Sequence, residues 1–222
     1  MLDRRRICQA FAILGAAFAG GFGQSLQLLA AEAEDPVQAR ELMEAGPLGE
    51  KTMGRAGAPV TVIEYASLGC PICRVFHKQA FPRFKAGYID TGKVRYIYRE
   101  FPIGRASAAA AVAARCVPEK DYFRVNERLM ANQGQWTSQE VRPDPIYKLV
   151  QDTGLARTTF DSCLANQNIT DGLVWVKQRG RKLGVQGTPT FFINGQKVRG
   201  VHSYEEMQRL IEPHLTSAAK PA

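Results

Sequence analysis

The chain has 222 residues, of which 45% are hydrophobic and 23% charged, and its formal net charge is +8. This composition is that of a globular protein with one sizeable core, and it excludes a low-complexity or mainly disordered chain. The basic residues are spread along the sequence and accompany no nucleic-acid-binding motif, so we expect a basic surface and no nucleic-acid partner.

The N-terminus has the order of an export signal. Arg4, Arg5 and Arg6 precede an apolar run over about residues 11–22, and small residues then lead to Ala31-Glu32-Ala33. A positive region, an apolar region and an A-x-A cleavage site are typical of a secretory signal peptide. The apolar run is shorter than the roughly 20 residues of a membrane-spanning helix. We therefore predict a signal peptide over residues 1–33 and a soluble mature protein, with a retained membrane anchor as the alternative.

The next elements alternate between strand and helix. Residues 34–54 are predicted as a lead-in, with a short helix from Val37 to Met43. Val60–Ala66 is nearly continuous in β-branched and aromatic residues, as expected of a strand that is buried on both faces. A helix begins near Cys70 with Pro71 at its first position, where the missing N–H costs nothing.

A second strand and a helical block follow. Pro82 is expected to kink or end the first helix. Lys93–Arg99 alternates apolar and basic residues and is predicted as a strand, which completes a βαβ unit over residues 55–102. Residues 103–183 are predicted as an all-helical insertion. Its predicted helices are Ala106–Cys116, Tyr122–Met130, Pro145–Asp152, Thr158–Leu164 and Ile169–Leu183.

The sheet is predicted to resume over residues 184–217. Pro189–Ile193 has strand composition, and Asn194-Gly195 is the strongest short hairpin signal. Lys197–Arg199 is then the partner strand. A final amphipathic helix follows, before a tail over residues 218–222.

The motif Cys70-Pro71-Ile72-Cys73 places two cysteines at a helix start, where free N–H groups and the helix dipole stabilise a thiolate. Because the thiolate is the nucleophile of disulfide exchange, we predict Cys70 as the nucleophile and Cys73 as the resolving thiol. A zinc or soft-metal site at the two cysteines is the competing interpretation. His77, four residues after Cys73, is either a further ligand or an ordinary helix residue.

Three other residues are candidates for functional or structural roles. Glu64 is a carboxylate in the middle of an apolar strand, and an unpaired buried charge is costly. We therefore expect a specific role for Glu64, unless it faces solvent on a half-exposed strand. Cys116 and Cys163 both fall in the helical block, and a structural disulfide between them is the simplest interpretation. Two buried free thiols and a second redox pair are the alternatives.

The order of strand, Cys-Pro-x-Cys helix, strand, helical insertion and Gly187-Thr188-Pro189-Thr190 resembles the DsbA-type thiol–disulfide oxidoreductases of the thioredoxin superfamily. The resemblance covers roughly residues 55–215. It implies an α/β thioredoxin fold, in which a central mixed sheet is flanked by helices and carries an inserted all-helical subdomain. It also implies that no organic cofactor and no metal is needed.

The resemblance also implies roles for single residues. Pro189 is expected in a cis peptide bond beside the redox pair, with an ordinary trans proline as the alternative. The backbone at Thr188 is expected to pair with the substrate chain, and Pro71 and Ile72 to contact it. Glu64 is expected to assist proton transfer at the resolving cysteine.

One position departs from the pattern of the strongest oxidants of the family, which carry Cys-Pro-His-Cys. Ile72 cannot stabilise the reactive thiolate as an imidazole does, so we expect Cys70 to be a less acidic thiol than in those enzymes. The first hypothesis is a periplasmic oxidase that acts on unfolded or reduced exported proteins, and the resemblance implies that a membrane quinone-linked partner of the DsbB or VKOR type reoxidises it. An isomerase or reductase of the same fold and a soft-metal-binding protein remain the alternatives.

Overall fold

The computed structural model of the chain describes residues 36–200 and 203–218. The predicted signal peptide, residues 1–33, lies outside the described residues. In the part that is described, no helix is both long and apolar enough to cross a membrane.

Five strands form one mixed sheet in the order β1-β3-β2-β4-β5. Strands β2 and β3 are parallel, and the other neighbouring pairs are antiparallel. The predicted central mixed sheet of a thioredoxin fold is thereby confirmed. The strands are β1 (Lys51–Met53), β2 (Val60–Ala66), β3 (Val94–Glu100), β4 (Thr190–Ile193) and β5 (Gln196–Arg199).

The apolar run of β2 is explained by the two hydrophobic clusters between which the strand lies. Val60 and Val62 belong to one cluster, whereas Ile63 and Tyr65 belong to the other. Successive side chains point to opposite faces of a strand, so a strand covered on both faces needs apolar residues at nearly every position. Glu64 interrupts this pattern and is fully buried.

Helices cover both faces of the sheet, and most of them lie between β3 and β4, as predicted. The first cluster includes residues of the helix that begins at Pro71 (called the redox helix below), of the inserted helices and of the last helix. The second cluster includes residues of the first helix and of the ninth. The helices are α1 (Pro36–Met43), α2 (Pro71–Gln79), α3 (Phe81–Phe84), α4 (Arg105–Cys116), α5 (Tyr122–Ala131), α6 (Gln133–Trp136), α7 (Pro143–Val150), α8 (Arg157–Leu164), α9 (Gln167–Lys182) and α10 (Tyr204–Ala218).

One strand was not predicted from the sequence, whereas the break expected near Pro82 is present. The lead-in contributes β1, which pairs with β3 at the edge of the sheet and was not predicted. The helix that starts at Pro71 ends at Gln79, and a short helix and a π-helical turn at Lys85–Ile89 continue the path. Pro82 lacks the N–H of a continuing helix, which explains the break.

The β4–β5 hairpin is fastened to the central strand β2. Asn194 and Gly195 both have positive φ angles, of 44° and 89°, as a two-residue type I′ turn requires. The Asn194 N–H donates to the Thr61 carbonyl over 2.9 Å, and the Thr61 N–H donates to Asn194 Oδ1 over 2.7 Å. These bonds fix β4, whose preceding residues lie against the redox helix.

Candidate redox site

Cys70 is the N-cap residue of α2. Its backbone is extended, and its Sγ accepts a hydrogen bond from the Cys73 N–H at 3.5 Å. Pro71 occupies the first helical position, so the turn between β2 and α2 enters the helix without losing a hydrogen bond. Gln133 steadies this turn, because its Nε2 donates to the carbonyls of Leu68 and Cys70 over 2.7 and 2.9 Å.

The bond between Thr188 and Pro189 is cis, and it lies beside the redox pair. Cys70 Sγ lies 3.2 Å from the Thr188 carbonyl oxygen, to which its thiol form donates a hydrogen bond. The structure thus brings together residues that are 118 positions apart in the chain. Both redox cysteines are unbridged; Cys70 is 8% exposed, whereas Cys73 is completely buried.

The two thiols differ in acidity. A hydrogen bond from the Cys73 side chain outweighs the effect of burial and lowers the pKa of Cys70 from 9.0 to about 5. Burial raises the pKa of Cys73 well above its ordinary value, and the hydrogen bond to Cys70 and the charge of Glu64 raise it further. At neutral pH, Cys70 is therefore a thiolate and Cys73 a thiol, which is the asymmetry that a nucleophile and a resolving thiol need.

Glu64 has two partners inside the fold. The Tyr96 hydroxyl of the neighbouring strand donates a hydrogen bond to Glu64 Oε2, and His77 of α2 places its Nε2 3.1 and 3.2 Å from the two carboxylate oxygens. The carboxylate therefore lies between β3 and the redox helix, and the alternative of a solvent-facing Glu64 does not hold.

The contact between His77 and Glu64 was not predicted from the sequence. The spacing of four residues between Cys73 and His77 places both side chains on one face of α2. That face covers the strand that carries Glu64, so the combination of a buried acid and a histidine at this spacing was the available signal. Gln133 was also missed, and it had no local signal, because it lies 63 residues from the turn that it supports.

The structure joins Cys116 and Cys163 in a disulfide between α4 and α8, with their Cα atoms 6.0 Å apart. This separation falls within the roughly 4.4–6.8 Å that a disulfide allows. Within the described residues, no group of three or more histidine, cysteine or acidic side chains is arranged to hold a metal ion. His77, the one candidate for a further metal ligand, contacts Glu64 instead.

The chain was compared with known families and proteins. The family model described as Thioredoxin matches residues 48–213. A putative protein-disulfide oxidoreductase of Rickettsia typhi is 28% identical over 77% of this chain, which spans 64% of that relative, slightly less than two thirds of its length. The disulfide bond formation protein D of Bacillus subtilis is 27% identical over 75% of this chain and 78% of its own.

Two solved structures of disulfide-exchange proteins resemble the fold of this chain. The crystal structure of alpha-DsbA1 from Wolbachia pipientis superposes with a TM-score of 0.73 and is 30% identical, over 81% of this chain and 97% of that one. BdbD from Bacillus subtilis superposes with a TM-score of 0.69 at 26% identity, over 75% of this chain and 93% of that one. The chain therefore belongs to the thioredoxin family and, within it, to the DsbA-type protein-disulfide oxidoreductases.

Proposed function

We propose that the protein introduces disulfide bonds into unfolded or reduced exported proteins, by dithiol–disulfide exchange at Cys70 and Cys73. The observation that carries the proposal is the acidity of Cys70, whose pKa is lowered to about 5 beside a buried Cys73 with a raised pKa. A stabilised thiolate favours the reduced form of the pair, so the disulfide form is the better oxidant.

The exchange follows from this asymmetry. A substrate thiolate attacks Cys70 Sγ of the Cys70–Cys73 disulfide and forms a mixed disulfide, and Cys73 leaves as a thiolate that takes a proton from Glu64. A second substrate thiolate then attacks the substrate sulfur of the mixed disulfide. The substrate gains a disulfide, and Cys70 leaves as a stabilised thiolate. Two electrons pass from the substrate to the enzyme in each cycle.

The surface around the pair suits an unfolded chain. Ile72 and Ile103 are 43% and 53% exposed, although both are large and apolar. Ile103 lies near the redox turn, because its backbone N–H donates to Ser67 Oγ over 3.1 Å. We propose that the substrate strand pairs with the Thr188 backbone and contacts Pro71 and Ile72, as in short β-augmentation.

The location and the reoxidation partner belong to the same proposal. The signal-peptide pattern of residues 1–33 supports export, and a periplasmic location fits an oxidase whose products are disulfides. Each cycle leaves Cys70 and Cys73 reduced, so turnover needs an electron acceptor. We propose a membrane quinone-linked protein of the DsbB or VKOR type as this reoxidase.

The reduction potential of the Cys70–Cys73 pair against glutathione tests the proposal. The pKa of Cys70, about 5, lies between those of roughly 7 in thioredoxin and 3.5 in DsbA, so we expect a potential between about −270 and −120 mV. A potential at or below that of thioredoxin would rule out the oxidase. The Cys116→Ala/Cys163→Ala variant is the matched control, because it removes the other cysteine pair.

A direct assay separates oxidase from isomerase. The oxidised protein should form disulfides in a reduced, unfolded substrate and should not unscramble a mispaired one, and Cys70→Ala should abolish the oxidation. Efficient unscrambling with no net oxidation would instead support the isomerase. Stoichiometric copper or zinc retained on the purified protein, and lost in Cys70→Ala, would support the metal-binding alternative.

A further inference from the structure

His77 lies between the buried carboxylate and a surface cavity. Its Nε2 is 3.1 and 3.2 Å from the two oxygens of Glu64, which is fully buried. The same residue lines a cavity of about 440 Å³, whose wall also includes Arg74, Lys78 and Met130. His77 thus contacts Glu64 on one side and lines this cavity on the other.

The histidine ring is held in place by aromatic packing. Its centroid is 4.7 Å from that of Phe81, and the Phe76 ring meets it edge-on at 5.3 Å. Only 8% of the His77 side chain is exposed. Its second ring nitrogen, Nδ1, is buried and has no hydrogen-bond partner among the described residues. Nε2 contacts a carboxylate and Nδ1 has no partner among the described residues, so Nδ1 is available to bind or release a proton.

The redox reaction creates a proton-transfer problem at this place. Cys73 is completely buried, so in each exchange a proton must reach or leave its sulfur without direct contact with water. Glu64 supplies or accepts that proton in the proposed function, but Glu64 is itself sealed from solvent. Proton exchange between a carboxylate that is sealed in this way and the solvent requires a group that contacts both.

We propose that His77 is the positioning and relay residue of this site, which holds the Glu64 carboxylate in place and passes its proton to and from the solvent of the cavity. The inference rests on the proposed function, because it assigns a route to the proton of the same exchange. His77 does not touch the sulfur atoms; it acts through Glu64.

Protons and sulfur bonds can be followed through the relay as the enzyme is oxidised. In a mixed disulfide on Cys70, the Cys73 thiol gives its proton to the Glu64 carboxylate, and its sulfur attacks Cys70 Sγ. The bond between Cys70 and the leaving thiol breaks, and that thiol departs as a thiolate. In the same step Glu64 passes a proton to His77 Nε2. Because Nδ1 is buried in the packed position of the ring, His77 loses its Nδ1 proton to the water of the cavity when a side-chain fluctuation exposes that nitrogen. Reversal of these steps reprotonates Cys73 when a substrate reduces the pair.

Other ionisable groups surround Glu64 and His77, and their charges affect the pH dependence of the exchange. Burial and the charge of Glu64 raise the pKa of Tyr96. Burial also raises the pKa of Tyr98, whose ring lies 6.2 Å from that of His77. The titratable or charged groups around the site are Cys73, Arg74 and Lys78 on α2, Tyr96 and Tyr98 on β3, Lys85 and Asp90 beyond α3, and Glu127 on α5.

The test follows the reactions of Cys70 and Cys73 as two successive kinetic phases. Reduced protein is mixed rapidly with an aromatic disulfide whose thiol product absorbs visible light. Cys70 releases the first aromatic thiolate when it forms the mixed disulfide, and Cys73 releases the second when it closes the Cys70–Cys73 bond. The first phase therefore reports Cys70 and the integrity of the fold, whereas the second phase reports deprotonation of Cys73.

Two variants of His77 address the relay. His77→Gln keeps an N–H that can bond to Glu64 but cannot release and regain a proton. We expect it to slow the second phase on the order of tenfold, since a positioned proton donor or acceptor contributes at least that much, and to leave the first phase unchanged. His77→Ala opens the site beside the cavity, and added imidazole should restore its second phase in a saturable manner. Lys78→Gln is the matched control, because it removes a cation from the same cavity wall.

The outcomes are distinct. A slow second phase in His77→Gln, a normal one in Lys78→Gln and recovery of His77→Ala by imidazole support the relay. The relay is overturned if the second phase of His77→Gln stays within about twofold of the unmodified protein, if both phases slow together, or if imidazole has no effect on His77→Ala. A missing first phase in the unmodified protein would count against the proposed function and not against His77.

Discussion

The acidity of Cys70 can be measured by alkylation as a function of pH. Its pKa of about 5 results first from the hydrogen bond of the Cys73 side chain, against burial, which raises it. A thiol with that pKa is about 99% ionised at pH 7, whereas one with a pKa near 9 is about 1% ionised. The rate of alkylation of the reduced protein should therefore be half-maximal at about pH 5 and level above about pH 7.

The lowered pKa of Cys70 also determines how the stability of the folded, reduced protein depends on pH. The folded-state pKa of Cys70 lies below 9.0, the value of the unperturbed thiol. Ionisation of Cys70 therefore stabilises the folded, reduced protein fully above that value, and the stabilisation is lost as the pH falls to about 5. The oxidised protein has no Cys70 thiol, so its stability should lack this dependence.

The assay is the rate of reaction with iodoacetamide, followed by mass spectrometry of the peptide that contains Cys70. Cys116 and Cys163 are bridged and should not react. In Cys73→Ala the hydrogen bond with the largest effect is lost, so the half-maximal pH should move upward. A half-maximal pH near 9 in the unmodified protein, or an unchanged one in Cys73→Ala, would refute the assignment of the low pKa to this hydrogen bond.

Two further predictions concern stability. Removal of the disulfide in Cys116→Ala/Cys163→Ala frees a loop of 47 residues, so the free energy of unfolding in urea should fall by about 4 kcal/mol in the chain-entropy model; an unchanged value would contradict that model here. In Gly180→Ala the new Cβ would lie 2.8 Å from the Tyr65 ring, and we expect a loss of about 1–3 kcal/mol by urea unfolding. Gly134→Ala is its control, because nothing lies within 4 Å of that Cβ; an equal loss in both variants would refute the steric explanation.

The parts of the fold with strong local signals were predictable from the sequence. Val60–Ala66 forms β2 at the predicted residues, because a strand buried on both faces has an unmistakably apolar composition. Asn194-Gly195 forms the predicted hairpin, because few other residue pairs tolerate two positive φ angles. Pro71 begins the redox helix for an equally local reason, its fixed φ angle.

The features that were missed depend on contacts between distant parts of the chain. Strand β1 has only three residues, and it exists because it pairs with β3, more than forty positions away. Gln133 is one of many polar residues in the helical block, and only the fold brings it to the carbonyl of Cys70. Such contacts leave no period in the sequence, because each depends on the position of a single side chain.

Glu64 shows how a local conflict in the sequence can indicate a site. A carboxylate in an apolar strand contradicts the pattern of its neighbours, and such conflicts are expected where function outweighs stability. The structure resolves the conflict with Tyr96 and His77, neither of which was predicted as a partner of Glu64.

A single helix start produces the asymmetry on which the chemistry depends. Cys70 caps α2, where its sulfur accepts an N–H bond and keeps some exposure, whereas Cys73 lies one turn further along and is completely buried. One turn later, His77 contacts the Glu64 carboxylate, whose charge adds to the effect of burial in raising the pKa of Cys73. The same three positions of one helix therefore set the acidity of Cys70, the burial of Cys73 and the contact to the carboxylate that we propose as the proton acceptor of Cys73. A change at any of them should alter the exchange even where the fold is unaffected.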